Sequence, residues 1–298
     1  MERQDLKGGC YVLSGVTGEG LRPLIGADTG AEHLSQYALH VKGESRIYSF
    51  GQAEVLLFVT AGTATVTISG KSFEARPESG LIVRPGEAFR VTPSPQPSPP
   101  VGRGSPAERS TKALSLAKSA VASREGGRGE SKMKSEAKGS NKALSLDGRG
   151  LGEGEMKRET EATLLITVCP EAKVKTLDTM PNNFDASVSD RLAAADASKR
   201  EEMGDRSYQV LASTGNVTQF IGEIPKSKAP SHHHLYEEAL YVLSGEGFMW
   251  TDDVKAPVSP GSIIFLPKKQ EHSLECTSDA GLRVAGHFYP AGSPAENY

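Results

Sequence analysis

Pro230-Ser-His232-His-His234-Leu-Tyr-Glu-Glu238-Ala-Leu-Tyr-Val-Leu-Ser-Gly245-Glu-Gly247 is the stretch on which the reading of this chain turns. His232 and His234 stand two apart, so in extended backbone their imidazoles point to one face. A tight turn at Leu235-Tyr236 brings Glu238 back beside them on the neighbouring strand. Glu238, Leu240 and Val242 then share that strand's inward face, and Gly245 ends it. Two imidazoles and a carboxylate form a hard-to-borderline donor set that leaves coordination positions open, which suits Fe(II), Mn(II), Ni(II) or Zn(II). A fourth candidate lies downstream in Pro260-Gly261-Ser-Ile-Ile-Phe-Leu-Pro267-Lys-Lys-Gln-Glu-His272. There Ile263–Leu266 reads as a buried strand, Pro267 turns the chain, and His272 opens the next strand. His233 points away from its neighbours, and Glu237 reads as a surface or supporting residue. His287, in Gly286-His-Phe-Tyr-Pro290, and Cys276 read as packed side chains.

The spacing H-x-H-x3-E-x6-G over His232, His234, Glu238 and Gly245 resembles the first motif of the cupin superfamily. Gly261, Pro267 and His272 resemble the core of its second motif, G-x5-P-x4-H. The resemblance implies a small jelly-roll β-barrel in which His232, His234, Glu238 and His272 bind one divalent transition metal, Fe, Mn, Ni or Zn. Three positions depart from the pattern. The glycine before the first histidine is absent, Lys269 stands where the second motif has glycine, and Cys276 stands at the closing Asn position. None removes a ligand.

Working outward, residues 34 to 92 also read as short β-branched strands separated by glycine turns, the clearest run being Ala53–Ile68. Aligning Gly62 with Gly245, and Gly80-Pro85-Gly86 with Gly261-Pro267, makes this half a second, degenerate cupin. Ser49, Gly51 and Val55 then occupy the positions of His232, His234 and Glu238, and Phe89 and Arg90 lie near that of His272, so no metal is expected there. The fold class expected is all-β: two jelly-roll barrels, the first carrying a long disordered insertion at a hairpin tip.

That insertion begins at Pro93, where the chain turns to Pro-Ser-Pro-Gln-Pro-Ser-Pro-Pro and then to Gly, Ser, Lys, Arg and Glu until about Glu161. No aromatic residue occurs between Phe89 and Phe184, so the segment cannot bury enough apolar surface to offset its ordering entropy. It repeats Lys112-Ala-Leu-Ser-Leu116 as Lys142-Ala-Leu-Ser-Leu146. Phe89–Thr92 and Thr163–Cys169 are expected to pair once the insertion is set aside. The organisation expected is a degenerate barrel over 30–93 plus 162–170, a disordered insertion over 94–161, a linker with a short helix over 171–206, and the metal-binding barrel over 207–298.

Net charge is −3, which gives no whole-chain field for nucleic acid. Cys10, Cys169 and Cys276 are odd in number and far apart, so neither a disulfide framework nor a cysteine zinc site is indicated. The first residues lack the apolar core of a signal peptide, and no apolar run is long enough for a membrane helix. The cytoplasm is the expected compartment, a small molecule the expected partner, with neither nucleic acid nor membrane. A homodimer is an expectation from the family alone.

Function is expected to be that of a metalloenzyme acting on a small polar metabolite, its dioxygenase, isomerase or hydrolase character left open. The alternative is a non-catalytic binding or sensing cupin. A further alternative is a ureidoglycine aminohydrolase-like hydrolase, since ureide-metabolising aminohydrolases are also two-barrel cupins with metal in the second barrel. Their ligand pattern differs from the one here.

Overall fold

The computed structural model describes residues 1–95 and 160–296, and they are almost entirely strands and turns. Among them the helices are three 3-10 turns of three residues each, and no helix is long and apolar enough to cross a membrane. The disorder expected across 94–161 lies outside the described residues, apart from the strand ends at Ser94 and Glu161.

Each half is a sandwich of two antiparallel sheets. In the first half, Ser79–Val83, Glu54–Ala61, Glu161–Cys169, Ser35–Lys42 and Gly20–Ile25 lie side by side in one sheet. Ile47–Ser49, Ala88–Ser94, Thr63–Ile68 and Lys71–Ala75 form the other. The second half repeats the order. Ile263–Leu266, Glu237–Ser244, Leu282–Tyr289, Thr218–Ile224 and Arg206–Ser213 make one sheet, and Val254–Val258, Gly247–Thr251 and Ser273–Cys276 the other. The duplication extends to single residues. Gly62 (φ +73°) and Gly245 (φ +85°) both end the central strand, and a Cβ on either would meet a backbone carbonyl, that of Glu161 or Gly281. Only glycine fits both the left-handed backbone and the close approach.

Two features were not read from the sequence. The chain's first strands leave their own half: Tyr11–Ser14 pairs with Ile263–Leu266 at the edge of the second barrel, and Glu2–Asp5 pairs outside it. In return Leu192–Ala194, just before the second barrel, pairs with Ser79–Leu81 of the first. The barrels therefore exchange edge strands, and edges that would otherwise be open are covered. This exchange crosses the segment boundaries read from the sequence.

The stretch 171–206 carries no α-helix. Its Ala- and charge-rich part holds the strand Leu192–Ala194 and one 3-10 turn at Ala197–Lys199. Pairing to an exposed sheet edge overrides its local helical composition. The expected pairing of Phe89–Thr92 with Thr163–Cys169 is also corrected. Ala88–Ser94 and Glu161–Cys169 lie in opposite sheets, and each is already hydrogen-bonded on both sides: the first by Ile47–Ser49 and Thr63–Ile68, the second by Ser35–Lys42 and Glu54–Ala61. The segment 96–159 thus connects strands of two sheets rather than the arms of a hairpin.

Three apolar cores follow. One fills the first barrel with Tyr48, Phe50, Val55, Leu57, Val59 and Phe89, among others. One fills the second with Val12, Phe220, Leu240, Val242, Ile264 and Phe288. The third lies between the barrels, where Leu56, Phe58 and Leu165 meet Ala239, Phe265 and Ala285. Strands such as Glu54–Ala61 and Ile263–Leu266 are apolar on both faces because one face is barrel interior and the other is this junction.

A buried ion pair fastens the linker to the first barrel. Arg191 Nη1 and Nη2 donate to the two Glu87 carboxylate oxygens at 2.8 and 3.0 Å, and Nη1 also donates to the Ile82 carbonyl at 3.0 Å. Burial alone would raise the Glu87 pKa, but hydrogen bonds from Arg191 and from the amides of Asp185 and Arg84 outweigh it and hold the pKa below its ordinary 4.5. Arg191→Ala should therefore cost about 3–5 kcal/mol in urea unfolding, because it strands a buried carboxylate, whereas Arg191→Met combined with Glu87→Leu should recover most of that loss. A depressed folded-state pKa gives stability that is present above the unfolded value and lost as pH falls through the folded one. Unfolding midpoints should thus fall more steeply in acid for the natural chain than for the double variant.

Candidate metal centre

The second barrel opens between its two sheets, and four side chains converge there. Pro230 and Ala229 lead into an extended segment whose His232 bridges His272 through mutual backbone hydrogen bonds of 3.1 and 2.9 Å. The chain bends at Leu235-Tyr236 and enters Glu237–Ser244, whose inward face carries Glu238, Leu240 and Val242. His232 and His234 thus sit before the strand rather than on it, held by the bridge to His272.

The ligand-capable atoms of His232, His234 and His272 lie within 4.8 Å of one another. Each imidazole is oriented by a backbone carbonyl. His232 Nδ1 meets the Pro230 carbonyl at 2.9 Å, His234 Nδ1 that of Glu296 at 3.0 Å, and His272 Nδ1 that of Gln270 at 2.8 Å. A carbonyl only accepts, so each Nδ1 carries the proton and each Nε2 keeps its lone pair. Such outer hydrogen bonds are what metal-ligating histidines require. Glu238 lines the same cavity, with an oxygen 3.4 Å from His234 Nε2 and no cationic Lys or Arg partner among the described residues.

The electrostatics point the same way. Burial pushes the Glu238 carboxyl up to about 8. Burial, then the neighbouring His232, pushes His234 down to about 4 and His272 to about 3. Burial thus disfavours the charged form of Glu238 and of the imidazoles alike, and a cation coordinated by them would offset that cost for the carboxylate. The donor set fits a divalent transition metal.

The other candidates fall outside this cluster. His233 turns to Glu271 at 2.9 Å. His287 faces the junction between barrels, within 2.8 Å of Gln219 and 3.4 Å of Gln36, and burial pushes it down to about 3. Strand parity decides this: His287 shares a face with Ala285, not with Val284 and Phe288. Cys276 packs inside the barrel. Glu237 is not at the surface. It is buried and accepts the backbone amides of His33 and Leu34 at 3.1 and 3.0 Å, because the first barrel covers the face that the sequence left to solvent.

Several contributors were missed. Cys10, just before the exchanged strand, packs inside this barrel, and burial, then the charge of Glu238, pushes its thiol up to about 12. Met203, Arg206, Tyr208, Phe220 and Phe288 line the same cavity of about 220 Å³. Period-2 alternation groups Arg206 with Tyr208, but the sequence gives no means of telling which face looks inward.

A family model described as a cupin domain matches residues 222–286. Protein SchB of Streptomyces halstedii is 30% identical over 96 residues, covering 30% of this chain and 70% of that protein. A protein of Methanocaldococcus jannaschii is 34% identical over 58 residues, 20% of this chain. The chain spans 46% of that relative and 62% of one from Aquifex aeolicus. Among solved structures, Bacillus subtilis oxalate decarboxylase aligns with a TM-score of 0.56 at 12% identity, over 98% of this chain and 76% of its own. Protein Ylba of E. coli aligns at 0.54 and 13%, over 98% and 89%. At such identities the likeness is one of fold, and it runs through both barrels.

Lys269 deserves a test of its own. It occupies the glycine position of the second motif with φ +62°, and its amide donates to the His234 carbonyl at 2.7 Å. A left-handed backbone strains any residue with a Cβ, so Lys269→Gly should raise unfolding stability by about 1 kcal/mol. Lys269→Val should lower it.

Proposed function

The chain belongs to the cupin superfamily, and within it we propose a metal-dependent enzyme that acts on a small molecule held in the second barrel, with His232, His234, Glu238 and His272 as the ligands of one divalent transition metal. The observation that carries this reading is the set of three Nδ1-to-carbonyl hydrogen bonds, which leave three Nε2 lone pairs beside one uncompensated carboxylate. A bound metal would supply Lewis-acid polarisation of a substrate oxygen. The chain's own residues do the rest. The carbonyls of Pro230, Gln270 and Glu296 fix the imidazoles, and the apolar walls exclude water from the bound molecule. The cavity is largely apolar, so the substrate is less polar overall than the sequence led one to expect. A neighbour in fold, the B. subtilis oxalate decarboxylase, has Mn(II) centres, and salicylate 1,2-dioxygenase of Pseudoaminobacter salicylatoxidans shares the fold at a TM-score of 0.52. Both agree with an enzyme rather than a sensor.

Elemental analysis of tag-free protein should find about one Fe, Mn, Ni or Zn per chain, and His234→Ala should lose it. No metal in either, even after anaerobic reconstitution, would end the metalloenzyme reading. Oxygen uptake would then identify a dioxygenase, ammonia release from a ureide an aminohydrolase, and ligand binding without turnover the sensing alternative.

The strap after Tyr289 yields a separate expectation. Ending the chain at Gly292 removes the Glu296 carbonyl from His234 and the Ser293 carbonyl from the Tyr236 hydroxyl. Metal affinity measured by competition with a chelator should fall about ten- to a hundredfold.

A further inference from the structure

The cavity beside the histidine cluster carries more information than the metal alone requires. Its walls are Met203, Phe220, Leu240, Met249, Leu274 and Phe288, with Phe220 and Phe288 stacked at 4.7 Å. Its volume is about 220 Å³. An apolar cavity of about 150 Å³ accommodates benzene, so this one has room for a six-membered ring and a substituent. A two-carbon diacid would leave these walls uncovered.

Three charged residues line the cavity: Glu238, Glu223 and Arg206. Glu238 belongs to the histidine cluster. Glu223 is taken by Arg200 at 2.7 Å and Arg283 at 2.8 Å. Arg206 is different. It begins the strand Arg206–Ser213, two residues before Tyr208, whose ring packs inside the barrel. Its side chain is 14% exposed, its Nε is enclosed without an acceptor, and it makes no hydrogen bond to any described residue. Its one ionic neighbour is Asp205, 3.6 Å away, which is 60% exposed and accepts the Ser227 hydroxyl. A largely enclosed guanidinium with open donors is costly unless an anion meets it.

We propose that Arg206 anchors the carboxylate of the substrate, and that the substrate is an aromatic or branched aliphatic acid whose apolar body lies on Met203, Phe220, Met249, Leu274 and Phe288. This rests on the metalloenzyme reading for the reaction, but the anchor itself is a property of the protein. The forked guanidinium matches a carboxylate in two parallel hydrogen bonds, which an ammonium reproduces only in charge.

The test is calorimetric titration of the full-length, metal-reconstituted protein with benzoate, benzamide and oxalate, for the natural chain, Arg206→Lys and Arg206→Met, with metal content measured on each sample. Benzoate should bind the natural chain about tenfold or more tighter than benzamide, as a charge-assisted pair predicts. Arg206→Met should bring that ratio to within about twofold while benzamide binding stays unchanged, and Arg206→Lys should keep part of it. Unchanged benzamide binding shows that the variant cavity is folded. A ratio that survives in Arg206→Met, oxalate binding tighter than benzoate, or no benzoate binding at millimolar concentration would each overturn the proposal. Loss of the ratio's dependence on Arg206 in samples that hold metal refutes the anchor alone. Absence of metal from every sample refutes the metalloenzyme reading, and the benzoate-to-benzamide ratio still judges Arg206.

Discussion

The face-to-face packing of two sheets, one from each barrel, is the constraint from which the rest of the molecule follows. Each central strand is buried twice, once in its own barrel and once against its neighbour. Leu56 and Phe58 therefore face Ala239 and Phe265, while Leu57 and Leu240 fill the separate interiors. Burial of apolar area drives this arrangement at roughly 25 cal/mol per Å². Two buried glutamates are hydrogen-bonded across the junction. Glu237 of the second barrel accepts the amides of His33 and Leu34, and its counterpart Glu54 of the first accepts the Thr214 hydroxyl at 2.6 Å and the Asn216 amide at 3.2 Å. Each glutamate thus holds a loop that leads into a strand of the other barrel, Ser35–Lys42 or Thr218–Ile224. The same reciprocity governs the edges, where Tyr11–Ser14 and Leu192–Ala194 are exchanged.

The candidate metal centre depends on that packing at one remove. Glu237 and Glu238 are adjacent on one strand and face opposite ways, so fixing Glu237 in the junction fixes Glu238 in the cavity. The exchanged strand and the residue before it supply Val12 and Cys10 to the interior behind it. The strap after Tyr289 supplies the carbonyl that orients His234. Three parts of the chain that are distant in sequence, the first residues, the motif and the last residues, therefore meet around four side chains.

The departures from the family pattern become intelligible in the same terms. Lys269 bears the left-handed turn that glycine would make without strain, and its neighbour Lys268 reaches Glu32 of the first barrel at 3.1 Å. Cys276, at the closing position of the motif, is simply buried among Leu274, Val258 and Leu282. Neither touches the converging imidazoles, which is why the cluster tolerates both.

The amino-acid sequence by itself determined the repeating strand pattern, the duplication through Gly62 and Gly245, and the choice of His232, His234 and His272, three histidines that the fold brings together, because each depends on local spacing: a period of two, a turn, a glycine at a strand end. Only the tertiary structure decided which face of each strand meets what. That is why Glu237 reads from the sequence as a surface or supporting residue, why nothing in the sequence singles out Arg206, and why Phe89–Thr92 and Thr163–Cys169 are expected to pair. Facing is relative to a neighbour, and here the neighbour is another barrel contributed by residues two hundred positions away.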